Sequence, residues 1–240
     1  MRSLRTILLM LTALSASLAG AQDAATFAVA VDGSNIHWRV YKAGAFARLG
    51  HNHVISVADL TGTVTYDGDL AASSFELAIP VASLVVDDPK LRADYGEDFS
   101  SEPSADDIAG TRRNMLSEDV LDAANHPMLV VRGKIASGTL DAATFAITVE
   151  LLGKSVALSA PGSIAIDGDT LVAEGELRVT HADLGMEPFS VALGALAVAE
   201  PLDVSYRVLA HRAEAARQAA TDRERIGLAA GLRPLPRPLR

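Results

Sequence analysis

The chain contains six histidines and no cysteine, so imidazole carries most of the metal or proton chemistry it could perform. His51 and His53, in Gly50-His51-Asn52-His53, stand two residues apart, and on a strand both would point to one face. Ile55 and Val57 continue that face and mark it as the buried one. His181 has the parity of Leu177 and Val179 on a later strand and should point inward as well. Two or three inward imidazoles could bind zinc or copper. Equally, they could be polar anchors at the end of an apolar cavity, or structural groups satisfied by hydrogen bonds. A lone His-x-His is a weak metal signal, so the anchoring or structural reading outweighs the metal site of His51, His53 and His181. His37 alternates with Ile36 and Trp38 and should face out, while His126 lies just before Pro127.

Other catalytic signatures are missing. There is no G-x-S-x-G, H-E-x-x-H or G-x-G-x-x-G in the sequence. Gly153-Lys154-Ser155 looks like the end of a phosphate loop, but Thr148 stands where its first glycine is required. No nucleophile–base set is visible, so an enzyme is not expected. The lack of cysteine excludes disulfides, thiolate catalysis and thiolate metal clusters.

The elements that must position these residues are strands, because the dominant hydrophobic period is two. Phe75, Leu77, Ile79 and Val81 alternate with smaller or polar residues. So do Phe145, Ile147, Val149 and Leu151, then Leu171, Ala173, Gly175, Leu177 and Val179, then Leu202, Val204, Tyr206 and Val208. Each series predicts a strand with one face in a core and one in water. Further strands are expected at 26–31, 35–42, 53–66, 128–136 and 156–166. Asp32-Gly33, Asp67-Gly68 and Asp167-Gly168 mark turns between strands. Many antiparallel strands in meander order suggest a sheet closed into a β-barrel, which removes exposed edges.

One stretch breaks the pattern. Residues 87–107 hold eight acids against Lys90 and Arg92, which predicts a solvated surface loop rather than a cation site. Ser104 should cap a helix running towards Met115, with Asp106 and Asp107 in its first turn. Ser117 should cap a second short helix through Ala124, which Pro127 prevents from continuing. Helices inserted into a barrel could cover one opening.

The two termini differ from the body. Arg2 and Arg5 precede an apolar run, and Ala19-Gly20-Ala21 is a small-x-small cleavage site. Residues 1–21 thus read as a secretory signal cleaved near Ala21, too short in its apolar run to span a membrane, leaving a periplasmic or secreted protein. Residues 212–240 are rich in arginine, helical as far as Ala230, with Gly231 as the stop and Pro234, Pro236 and Pro238 beyond it. The net charge is −9, and these ends carry +2 and +4, which leaves −15 on residues 22–211. Such a body repels phosphate backbones, so nucleic acid is not an expected partner. The basic tail could lie against the acidic body or make peripheral contact with anionic lipid.

In order, the chain carries Ile36-x-Trp38-x-Val40, Gly50-His51-Asn52-His53, Leu60-x-Gly62-x-Val64 and Phe75-x-Leu77. It continues with Val81-x-x-Leu84-x-Val86, Met115-Leu-Ser-Glu118, Val120-Leu-Asp-Ala123, Leu152-Gly153-Lys154 and Leu184-Gly185-Met186-x-Pro188. This series resembles the YceI-like family of secreted proteins from about Phe27 to Ala210. The resemblance implies a lipocalin-like antiparallel barrel, a non-enzymatic periplasmic role and an apolar tunnel for a polyisoprenoid, isoprenoid quinone or similar amphiphile. No cofactor is expected beyond such a lipid, and a homodimer is among the expected partners. The expected ligand-binding residues are Trp38, His51, His53, Leu60, Val64, Phe75, Leu77, Phe145, Ile147, Gly175, Leu177, His181, Tyr206 and Val208. The plainer alternative is that they fill an ordinary core. Small inward residues (Gly62, Ala173 and Gly175) could leave room that side chains do not fill.

Overall fold

The computed structural model describes residues 24–66 and 68–213. The expected signal segment and all of the tail beyond Ala213 lie outside the described residues. The described residues form eleven strands: β1 (Ala25–Ala43), β2 (His53–Val57), β3 (Thr61–Tyr66), β4 (Ser74–Pro80), β5 (Leu84–Val86), β6 (Met128–Gly138), β7 (Ala143–Leu151), β8 (Lys154–Asp167), β9 (Thr170–Thr180), β10 (Ser190–Val191) and β11 (Leu196–Arg212). Two helices, α1 (Pro89–Ala93) and α2 (Ala105–Leu116), sit between β5 and β6.

Eight strands, in the order β1-β3-β4-β6-β7-β8-β9-β11, close on themselves because β11 returns to pair with β1 from Phe27↔Arg212 to Ala43↔Ala197. All pairings are antiparallel, as the alternating pattern requires. The expected lipocalin-like barrel is therefore present, and the four alternating series point their apolar members inward.

Three local expectations change. Asp32-Gly33 does not separate two strands. It forms a bulge inside one long β1, where Gly33 takes φ +91°. Ser34 bridges the bulge: its hydroxyl donates to the Ala30 carbonyl (2.6 Å) and accepts from the Leu209 amide (2.9 Å). The single strand expected over 53–66 is two. β2 pairs with the later half of β1 and β3 with its earlier half, so residues 58–60 must step between them. The helix expected over 117–124 is a set of turns. The amides of Leu121 and Ala123 bond back to the carbonyls of Met115 and Leu116, at 3.1 and 3.2 Å. They satisfy the end of α2 and so are lost to a second helix. The start of α2 is as read from sequence, with Ser104 and Asp107 each accepting a bond from the other's amide.

Several interior glycines are seats for aromatic rings rather than open space. Gly175 lies directly opposite Tyr206, whose hydroxyl donates to the Pro161 carbonyl at 2.7 Å. A Cβ on Gly175 would stand 2.6 Å from the Tyr206 oxygen and collide with the Pro161 carbonyl. Gly133 holds Phe75 in the same way, with a Cβ 2.7 Å from ring carbon Cε1. Gly62 has its space occupied by Leu77. Gly175 is thus inward, as its parity requires, but it does not line the cavity. A large side chain there would displace Tyr206 instead of plugging a tunnel. Gly175→Ala should already destabilise the fold by about 1–3 kcal/mol through overpacking, read as a lower midpoint in urea. An unchanged midpoint would mean that Tyr206 moves aside freely.

Candidate functional site

Inside the barrel runs a cavity of about 490 Å³. Its middle is apolar: Trp38, Val64, Phe75, Leu77, Phe145, Ile147, Leu177 and Val208 all line it, as their parity predicts. Tyr206 lines it too, although its hydroxyl is committed to Pro161. Leu60 does not. It is buried in the surrounding core, packed beside β2 and β5 in the step between β2 and β3. Phe75 and Phe145 meet edge to face at 6.0 Å between ring centres, an arrangement favoured by the ring quadrupoles. They stiffen the wall where β4, β6 and β7 pass.

One end of the cavity is covered by α2, which contributes Thr111, Asn114 and Met115 to the lining. The helix is held from several sides. Arg112 donates to the Ala82 carbonyl at 2.7 Å, and Ile108, Met115 and Leu116 pack on the core. His51 and His53 both reach this end, with ring centres 6.2 Å apart. His51 precedes β2 and is partly exposed, near Ser101 (3.3 Å) and Asp107 of α2 (3.8 Å). His53 is enclosed. Its Nδ1 is 2.7 Å from Asp87, and its Nε2 is 3.4 Å from the Thr111 hydroxyl.

Asp87 organises this end. It is buried, holds a left-handed backbone (φ +56°), and accepts bonds from the Val54 amide (2.9 Å) and Arg92 Nη1 (2.7 Å) besides facing His53. Arg92 is buried too and donates to the carbonyls of Asn52 (2.6 Å) and Ser101 (3.0 Å). Burial pushes the Asp87 carboxyl up, but His53, the Val54 amide and Arg92 together outweigh it and hold the group below its ordinary value. The acidic stretch is therefore not simply a solvated loop. Its first acid is an internal ligand for Arg92, and Phe99 is buried beneath Tyr41 and Tyr95. Asp88-Pro89, a capping residue followed by proline at the first helical position, signalled the helix that carries Arg92 but not the burial of Asp87. Thr111 and Asn114 had no comparable signal, since their role depends on where α2 lies.

The remaining histidines are dispersed. His181 lines the cavity, is buried, and its Nδ1 donates to the Glu200 carbonyl at 2.9 Å. His37 faces outward but is covered by Tyr95, to which its Nε2 is hydrogen-bonded. Burial and the nearby Arg39 lower its pKa. His126 packs on Gly153, 3.9 Å from Asp122. Among the described residues, no three His, Asp or Glu side chains come together to hold a metal ion. On the outer wall Asp203 accepts from Tyr41 (2.6 Å) and Arg178 (2.6 Å). The bond from Arg178 leads in drawing its pKa down to about 2, and burial with the Asp203 bond pushes Tyr41 up to about 12.

The model of the YceI-like domain matches residues 27–210. The chain belongs to the YceI-like family. Among solved structures it is similar to BcnA of Burkholderia cenocepacia, with TM-score 0.55 and 14% identity over 75% of this chain and 98% of that one. The Campylobacter jejuni YceI protein is also similar, with TM-score 0.42 and 11% identity over 64% and 82% of the two chains. No curated protein gives a significant match. The match to this family covers all but the first two residues of β1 and the last two of β11 in the closed barrel, and it includes the segment that carries Asp87 and Arg92.

Asp87→Asn should leave Arg92 buried without a counter-charge and cost about 3–5 kcal/mol at neutral pH. Because the folded pKa of Asp87 is depressed, its contribution is complete above the unfolded value and is lost as pH falls through the folded one. Denaturant titrations should therefore show the gap between parent and variant narrowing in acid. A constant gap down to the lowest pH would assign the loss to packing instead.

Proposed function

We propose that this YceI-like protein carries or sequesters a polyisoprenoid, an isoprenoid quinone or a similar amphiphilic lipid in its barrel. The observation that carries this reading is the cavity of about 490 Å³ whose middle is walled by aliphatic and aromatic side chains. That volume lies within the range of about 300–1,000 Å³ common for small-molecule sites. At about 0.8 kcal/mol per buried methylene, a chain needs no polar contact in the middle to bind well. His51, His53, Thr111 and Asn114 gather at the end under α2, where a polar head would find partners. The protein works outside the cytoplasm after removal of residues 1–21, as a barrel domain of residues 22–211 with a basic tail. Metal binding by His51, His53 and His181 draws less support, since Asp87 and the Glu200 carbonyl already hold two of the three rings.

The experiment uses Trp38, the only tryptophan in the chain and part of the cavity wall. Titration with a soluble isoprenoid should change its fluorescence, and native mass spectrometry should show a lipid increment that organic solvent removes. Ala173→Phe places bulk on the wall of the cavity, which Ala173 lines and Gly175 does not. Displacing about two methylenes should weaken binding by about 1.6 kcal/mol, roughly fifteenfold. Unchanged affinity, or an increment removed by a chelator instead, would overturn the reading.

A further inference from the structure

We propose that the two loop tips beside the cavity, 44–50 and 189–196, dock the protein onto a phospholipid bilayer. Of the large apolar side chains that are exposed, four stand here: Leu193 (107% exposed), Leu49 (68%), Phe46 (49%) and Val191 (43%). The tips form one surface. The Phe46 amide donates to the Ala195 carbonyl at 2.7 Å, Leu196 packs on Gly50, and Gly44 meets the carbonyls of Gly194 and Ala195. This surface is continuous with the cavity, because Gly50, Phe189, Val191 and Leu196 also line it.

The backbone holds Leu193 outward at a cost. Ala192 and Leu193 both adopt left-handed conformations, with φ +50° and +56°, where residues bearing a Cβ are strained. A leucine kept fully in water by a strained turn gains nothing within this chain. Inserted among acyl chains, it would gain the transfer free energy of its whole side chain.

Charge and size select the partner. Residues 22–211 carry −15, yet Pro188–Ala199 has no charged residue and the only charge in 44–50 is Arg48. This is therefore a part of the acidic barrel that can approach phosphate head groups without repulsion, with Arg48 placed to meet them. At about 150–250 Å² for each large group, the exposed fractions of the four residues correspond to roughly 400–670 Å². That is below the roughly 800 Å² per partner of a standard protein interface, but ample for shallow insertion of loop tips. Docking would bring the end of the cavity against the acyl region. That use, exchange of a ligand with the membrane, rests on the lipid-carrier reading, whereas the docking itself rests on the loops.

The full chain should co-sediment with vesicles of phosphatidylethanolamine and phosphatidylglycerol, and added salt should weaken binding only slightly. Leu49→Gln with Leu193→Asn should lower vesicle affinity at least tenfold and leave the thermal midpoint unchanged, since asparagine tolerates φ +56°. The Trp38 response to a soluble isoprenoid should also be unchanged, which keeps failure of docking separate from failure of ligand binding. The proposal is overturned if the full chain ignores vesicles or if the double variant still binds them. It is also overturned if Arg233→Gln, Arg237→Gln and Arg240→Gln together abolish binding, which would assign the contact to the basic tail. Conversion of a dimer to a monomer by the double variant, without vesicle binding by the parent, would assign the tips to a second copy.

Discussion

The pairing of β1 with β11 fixes the rest of the molecule, because it joins the first and last described strands along nearly their full lengths. Once the sheet closes, no long edge is left among the eight strands, and each residue must face either the lumen or the outside. Register then becomes strict. A slip of one residue in β11 would move Leu202, Val204, Tyr206 and Val208 out of the lumen and put Asp203 and Arg207 into it. The bulge at 31–34 lets β1 keep this partner while passing from β3 to β2 on its other side. Closure between the first and last described strands also makes the contacts long-range, which points to slow folding relative to helical proteins of the same size.

The Asp87–Arg92 pair shows a different kind of constraint. Two buried charges of opposite sign are weak evidence for net stability, since desolvation offsets much of their attraction. What the pair does fix is a path. Arg92 bonds to Asn52 and Ser101, so one guanidinium ties the segment before β2 to the segment between the helices. Tyr95 then lies over Arg39, with 4.7 Å from guanidinium to ring centre, and covers His37. An apolar pair of the same volume could match the burial but could not specify the Asn52 and Ser101 carbonyls and the Asp87 carboxylate as partners. The covering of the barrel by α1 and α2 follows from that specification.

The fold was legible because binary alternation survives in β4, β7, β9 and β11, each with one wet face. The same parity correctly sent Trp38, Phe75, Ile147 and Leu177 to the lumen. It failed where inside and lining are different things. Gly175 has the right parity but sits under Tyr206, and Leu60 has the right hydrophobicity but sits in a step between strands. Asp32-Gly33 carries the composition of a hairpin turn, yet the turn and the bulge ask for the same positive φ, and only long-range pairing with β11 decides between them. Asp87 was indistinguishable from its seven acidic neighbours, since burial is a property of the assembled mouth and not of the local sequence.

The size of the cavity bears on why the barrel is not simply filled. Space of about 490 Å³ walled mostly by apolar side chains is van der Waals contact that a filled barrel would have made. Larger side chains at Ala173, at Val131 of β6 or at the valines of β11 would recover part of it, and the chain does not use them. Where the interior is filled, it is filled closely, with Tyr206 seated on Gly175 and Phe75 on Gly133. Tight glycine–aromatic seats and generous apolar space in one lumen are hard to reconcile with loose packing alone. They fit a wall whose aromatic groups are fixed so that the remaining space keeps its shape for an apolar guest, whose binding would return the missing contacts as stability of the folded state.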